Sequence, residues 1–438
     1  VVLLKADILI RGCTILPMDE KREILEQGLI AIRKGVITYV GRETDAPSLR
    51  AEETIDGHGK VVTPGLVNCH THLPMTIFRG VAEDQELGKW LSDTIWPLEA
   101  KLKPGDVYDG ALLGCLEMIK SGTTCFADMY FHEDMVAKAV ERAGLRAVLA
   151  PGIIEAGDSE RGEKLLKEGV GFARKFHGFA DGRVRVRLGP HTVYTCSPNL
   201  LMKARDRASE LNIGIHIHLA ESKERVKSTK EKYGFTEVEL LESLGFLKPD
   251  VLAAHCIHLS EEEMRLMAKR DVKVSYNPVS NMKLALGVPK IRDLMGLGVT
   301  VGIGTDGPAS NNDLDMFDDM RVAALLQKVS YMDSTVLPLH SVLGMATIGG
   351  ARALGLEGSV GSLEVGKKAD VILVDFKKPH LTPVHDFYAN VVYSARGSDV
   401  DTVIVDGEIL MEGRKVRTLD EEEVRVRARE SALDLLAR

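Results

Sequence analysis

The 438-residue chain has no Cys-x-x-Cys pair among its six cysteines (Cys13, Cys69, Cys115, Cys125, Cys196 and Cys256). That removes the spacing of a zinc ribbon and of a disulfide framework, and leaves reduced, buried thiols as the expectation. No long basic run offsets 64 Asp and Glu against 56 Lys and Arg, a net charge of −8. A phosphate backbone would therefore meet no electrostatic footprint, which excludes nucleic acid as a partner. Long apolar runs are missing too. The opening VVLLKADILIRG carries Lys5 and Asp7 and is too short and too polar for a signal peptide or a membrane span, so a cytoplasmic enzyme without a membrane partner is expected. Apolar residues at 45% and charged residues at 27% exclude disorder and a collagen-like chain. At roughly 150 residues per domain, the length suits about three units, or one large barrel with an accessory domain.

What is present divides the chain by texture. ADILIRGCTILP, GLIAIRKGVITYV and TIDGHGKVVTPG show β-branched alternation broken by Gly and Pro, so residues 1–63 read as all-β. GSLEVGKKADVILVDF and VDTVIVDGEILMEGRKV repeat that texture within 359–438, and the two ends are expected to supply one small β-sandwich. Asp420 to Arg438 is charged with helical apolar spacing and reads as a surface helix packed on that sandwich. Between the ends, over 64–358, eight apolar runs alternate with helix-like stretches: GLVNCHTH, TTCFADMY, LRAVLAPGII, VRVRLGPH, GIHIHLAE, VLAAHC, VKVSYNP and VTVGIGTD. Eight βα units predict a closed (β/α)8 barrel of the α/β class, with its active site at the C-terminal strand ends. A doubly wound sheet would carry a Gly-rich phosphate loop after its first strand, and GLVNCHTH has none.

Polar chemistry gathers at those strand ends. His70 and His72 stand two apart, so both imidazoles point to one side of the first strand. His218 at the fifth run, His255 at the sixth and Asp306 at the eighth occupy equivalent places, and a closed barrel brings such positions into one site. His216 shares a face with His218 but lies a layer deeper, as an interior residue. Glu221 falls where the fifth strand gives way to loop and can overhang a bound substrate. Three His with one Asp form a set suited to zinc or ferrous iron, with a position left open for water. Met75 and Met282 are candidates for a pocket wall, although Met is a common core filler.

PGLVNCHTH, IHIHLAE, AAHCIHLS, GIGTDGPASNN and GSLEVGKKADVILVD resemble the amidohydrolase superfamily over nearly the whole chain. More narrowly, HTHLPMTIFRGVAEDQELGKWLSDTIWPLEAKL, ADMYFHE, GPHTVY and NPVSNMKLALG resemble the 5-methylthioadenosine/S-adenosylhomocysteine deaminases, a group that includes 5′-deoxyadenosine deaminases. The resemblance implies that His70, His72, His218 and Asp306 are metal ligands, with Asp306 also catalytic, and that Glu221 and His255 are the proton-transfer pair. It puts Glu99 on the ribose hydroxyls, His191 and Glu221 on the nucleoside, Trp90 against its 5′ or base portion, and Arg161 at the far end of a longer substrate. Two-metal relatives bridge their ions through a carboxylated Lys on the fourth strand. VRVRLGPH offers no Lys, so one divalent metal per subunit, zinc before iron, is expected.

The implied activity is hydrolytic deamination of adenosine-type nucleosides in a homo-oligomer, a tetramer by the resemblance. Its nearest alternative is another amidohydrolase, such as a guanine or cytosine deaminase or a chloro-s-triazine hydrolase. Glu99 and His191 separate the two, because a diol grip implies a ribose. A barrel kept only as a binding scaffold would be expected to lack ligands, and here the set is complete.

Overall fold

The computed structural model describes residues 4–81 and 83–438; Val1, Val2 and Leu3 of the opening stretch, and Ala82, lie outside the described residues. Five strands come first: β1 (Leu4–Ile15), β2 (Leu25–Arg33), β3 (Val36–Arg42), β4 (Leu49–Asp56) and β5 (Lys60–Pro64). All eight expected runs then form strands, β6 (Leu66–Thr71), β7 (Thr123–Tyr130), β8 (Arg146–Ile153), β9 (Val184–Pro190), β10 (Gly214–Leu219), β11 (Val251–His255), β12 (Lys273–Tyr276) and β13 (Val301–Ile303). Each pairs in parallel with its sequence neighbour. Every residue of β6, β7 and β11 is buried, because helices cover the outside and side chains fill the inside, which is why these strands read as continuous apolar runs.

The barrel is closed beyond the end of β13 rather than by a full ladder. The Asp306 N–H donates to the His70 carbonyl at 2.9 Å, and the Thr305 N–H donates to Asn68 Oδ1 at 3.1 Å. Gly304 makes this approach possible. A Cβ there would stand 2.6 Å from Asn277 Oδ1 and Ser275 Oγ and 2.8 Å from the His70 nitrogen, a space no larger residue can share.

After the barrel come β14 (Val371–Asp375), β15 (Val400–Val405), β16 (Glu408–Glu412) and β17 (Lys415–Val416). The antiparallel pairing of β5 with β14 joins the two chain ends. The expected sandwich is realised as one continuous mixed sheet in the order β17-β16-β15-β14-β5-β1-β2-β3, with β4 on β1. It folds over on itself, since Ile10, Ile30, Ile32, Val62, Leu373 and Ile404 form one apolar cluster.

The helix Glu421–Ala437 corrects the expectation that it packs on the sandwich: it lies along the barrel helix Pro104–Ser121. Buried Leu435 enters a cluster with Trp90, Ile95 and Leu98. Amphipathic spacing reveals that a helix has an apolar face but not which surface receives it. All six cysteines are free and buried, as expected. Among the described residues no helix is long and apolar enough to cross a membrane.

Barrel and sheet are tied by a forked, buried ion pair. Arg146 at the start of β8 donates from Nε and Nη2 to Asp370 at 2.8 and 3.0 Å, with side-chain exposures of 7% and 2%. Arg146→Ala leaves a buried carboxylate uncompensated, and the expected loss is about 3–5 kcal/mol, read as a lower denaturant midpoint.

Candidate metal centre and substrate cavity

The barrel rim carries its functional side chains on unusual backbone. Ala220, His255, Cys256 and Asp306 adopt left-handed conformations, with φ of 50°, 73°, 50° and 61°. For residues other than glycine such conformations persist only where surrounding bonds enforce them, and they gather at functional sites. Here Ala220 N–H is held by Glu237 Oε2 at 2.7 Å, which turns the chain between His218 and Glu221. Asp306 is held by the closure bond already described.

The sequence-expected ligands come together. Ligand atoms of His70, His72 and His218 lie within 4.8 Å of one another, as do those of His70, His255 and Asp306. Asp306 Oδ1 stands 3.3 Å from Nε2 of both His70 and His72. The Nδ1 atoms are engaged elsewhere: His70 with His216 Nε2 at 2.8 Å, His72 with the Met129 carbonyl at 2.6 Å, and His218 with the His191 carbonyl at 3.0 Å. A Nδ1–H that donates to an oxygen or nitrogen acceptor leaves Nε2 unprotonated and aimed at the centre. His70 Nε2 is moreover buried without a hydrogen-bond partner. Three imidazole nitrogens and a carboxylate converging around such an orphaned atom fit one divalent cation.

Electrostatics agree with that fit. Burial pushes the His70 ring down to about 4 and His218 well below its ordinary range, so both rings are neutral at physiological pH. Burial alone would raise Asp306, but the close approach of His70 at 3.3 Å and of the other imidazoles around it holds it well below the usual carboxylate range. Its second oxygen, Oδ2, accepts from Ser280 Oγ at 2.6 Å and Ser310 Oγ at 2.8 Å, which directs Oδ1 at the histidines. Glu221 belongs to neither ligand group. It stands 3.7 Å from His255 Nε2, and burial raises its carboxyl above the ordinary range despite His255. His255 Nδ1 is engaged by Asn281 Oδ1 at 2.9 Å, which points its other nitrogen inward.

Above these groups opens a cavity of about 690 Å³, open solvent at its mouth included. It is lined by His72, His218, Glu221, His255 and Asp306 together with Trp90, Ile95, Glu99, Tyr130, His191 and Tyr194. Glu99 ends the helix Trp96–Glu99, and burial pushes its carboxyl up to about 7 beside Tyr130. His191 follows β9, engages Thr195 Oγ1 at 3.1 Å and is driven down to about 3, first by burial and then by the neighbouring imidazoles. Trp90 is a buried apolar wall whose Nε1 lacks a partner. Arg161 is not in this cavity: it is exposed on the helix Ser159–Phe176 and lines an outer cavity that shares Trp96, Glu99, Tyr130 and Phe131 with the inner one. Met75 lines the inner cavity, whereas Met282 is exposed.

Sequence reasoning missed Ser280, Ser310, Asn281, Tyr130 and Trp96. Their partners come from other strands and loops, and no local period marks such residues. His216, read only as interior, proves to be the residue that engages His70 Nδ1.

A parallel barrel whose C-terminal rim gathers three imidazoles, a carboxylate and a free acid is the architecture of a metal-dependent barrel enzyme. The chain belongs to the amidohydrolase family, whose model matches residues 61–410. A 5′-deoxyadenosine deaminase of Methanosarcina acetivorans is 51% identical over 433 residues, covering 99% of each chain. A 5-methylthioadenosine/S-adenosylhomocysteine deaminase of Desulforudis audaxviator is 52% identical over 410 residues, covering 93% of this chain and 95% of that one. Among solved structures, an adenosine deaminase from Xanthomonas campestris with bound zinc superposes with a TM-score of 0.96 at 34% identity, over 99% of each chain.

Proposed function

We propose that this protein is a metal-dependent aminohydrolase that converts adenosine-type nucleosides (5′-methylthioadenosine, S-adenosylhomocysteine, 5′-deoxyadenosine and adenosine) to the inosine analogue and ammonia. The observation that carries the reading is the convergence of imidazoles and a carboxylate beside the raised acid Glu221, in a cavity that Glu99 also lines. Similarity to the named deaminases supports the substrate class. His70, His72, His218 and Asp306 would hold one divalent ion per subunit, zinc for preference, as in the similar zinc-containing structure. When bound, such an ion lowers the pKa of a water from about 15.7 to about 7, so hydroxide is available near neutrality.

The residues then divide the proton work. Water adds at C6 of the purine; the proton it gives up passes on to the amino group, which leaves as ammonia, and the remaining hydroxyl proton returns to Glu221 as the C6 carbonyl forms. Glu221 delivers a proton to N1 as the ring loses aromaticity. His255 and Asp306 orient the attacking water and accept its proton, and they stabilise the tetrahedral centre electrostatically. The pairing of a metal with a Glu that is not a ligand parallels the chemistry of the zinc nucleobase deaminases. Glu99 accepts from the ribose hydroxyls, His191 bonds the nucleoside, and Trp90 packs against it. Arg161, in the outer cavity, would meet the far end of a longer 5′ substituent. By the family resemblance, the working assembly is a cytoplasmic homotetramer; light scattering would return four chains per particle, and a monomer would contradict it.

The test is a panel of those four nucleosides followed by ultraviolet absorbance and ammonia release. Conversion to inosine-type products is expected, and no spectral shift across the panel would overturn the reading. Glu99 adds a pH signature. Because its carboxyl is raised to about 7, it is protonated below that pH and ionised above it, and the ionised form is the stronger acceptor for a diol. Accordingly kcat/KM rises with pH through about 7. In Glu99→Gln that ionisation disappears and KM increases about 10–100-fold with kcat little changed, both read from steady-state pH profiles.

A further inference from the structure

Glu99 sits at the end of a segment of irregular helix that lines the cavity. The wall runs through a π-helical turn, Trp90–Ile95, into the short helix Trp96–Glu99, and turns of that kind are rare and gather at functional sites. Just past Glu99 the Lys101 and Leu102 N–H groups donate to the Leu98 and Glu99 carbonyls at 3.0 and 3.1 Å, and a residue distant in sequence ties this turn to the rest of the molecule. Arg438 Nη1 donates to the Lys101 carbonyl at 3.0 Å. The same guanidinium forks onto Asp106 at 2.6 and 3.0 Å, and Asp106 also accepts from the Lys103 N–H at 2.8 Å. The turn between Glu99 and the helix Pro104–Ser121 is thus clipped at a carbonyl and a carboxylate by one planar group. Leu435, one turn earlier, is fully buried against Trp90, Ile95, Leu98 and Leu102, so the same helix also supports the wall from outside.

Other contacts staple that helix to the barrel without touching the wall: Lys120 with Glu421 at 3.0 Å, and Asp109 with Arg427 at 2.8 Å and Ser431 at 2.7 Å. Of these staples, that of Arg438 bears on the segment beyond Glu99. We propose that Arg438 is a positioning residue for Glu99, setting the place of its carboxylate and therefore the enzyme's preference for a nucleoside with an intact 2′,3′-diol. The inference rests on the reading of Glu99 as the diol acceptor.

The test compares kcat/KM for adenosine and 2′,3′-dideoxyadenosine in the metal-loaded enzyme. In E99Q the adenosine preference collapses. In R438A it falls about tenfold through KM, since small displacements of a binding group cost that much or more, while kcat and metal content hold. R438K gives an intermediate preference, because an ammonium cannot span carbonyl and carboxylate as the fork does. K120A, which loosens the far end of the same helix, keeps the wild-type preference. Should R438A not fold, R438K reads the same ratio. Wild-type preference in the Arg438 variants with a collapsed ratio in E99Q overturns the proposal and leaves Glu99 as the diol acceptor. Equal losses in R438A and K120A overturn it as general loosening. An unchanged ratio in E99Q removes the diol reading and the proposal with it.

Discussion

Glu221→Gln is expected to keep its metal and lose kcat by about 10²–10⁴-fold, the range that a well-placed proton carrier supplies. The amide matches the carboxyl in size and remains able to fill its place, but it has no acidic proton for N1. Glu221 lies outside both ligand groups, so the ion should be unaffected. Burial raises its carboxyl, which favours the protonated form needed at the start of the reaction. Elemental analysis together with single-turnover rates checks both halves of the expectation. Wild-type turnover in the variant would remove Glu221 from the proton path.

His70→Ala should fail differently, losing metal and activity together. His70 is common to both ligand groups, is fully buried and presents the orphaned Nε2. Its removal also strands His216 Nε2, bonded to His70 Nδ1 at 2.8 Å, and an unsatisfied buried polar group costs about 1–3 kcal/mol. A lower unfolding temperature therefore accompanies metal loss, and thermal melts with elemental analysis read the two together. Full metal occupancy in the variant would contradict the ligand assignment.

The barrel was legible because a parallel strand buried on both faces writes itself as a short continuous apolar run, and all eight runs became strands. His70 and His72 were legible because strand alternation puts positions two apart on one side. His218, His255 and Asp306 followed from their equivalent places at strand ends. What was not legible depends on pairs far apart in the chain. Ser280 reaches Asp306 from the helix Pro278–Lys283 and Ser310 from the turn after the eighth barrel strand, Asn281 reaches His255 from that same helix, and Tyr130 meets Glu99 only across the closed cavity. The helix Glu421–Ala437 was legible as a helix, yet its seat on the helix Pro104–Ser121 was not, because an apolar stripe fits any complementary surface.

The central claim is that one divalent ion, held by His70, His72, His218 and Asp306, is what this chain needs to deaminate an adenine nucleoside. The most direct measurement strips the protein with a chelator and titrates Zn²⁺ back while 5′-deoxyadenosine deamination is followed by absorbance. The account predicts no activity without metal and a linear rise that stops at one equivalent per chain. Activity that survives stripping, or that continues to climb to two equivalents, would contradict it.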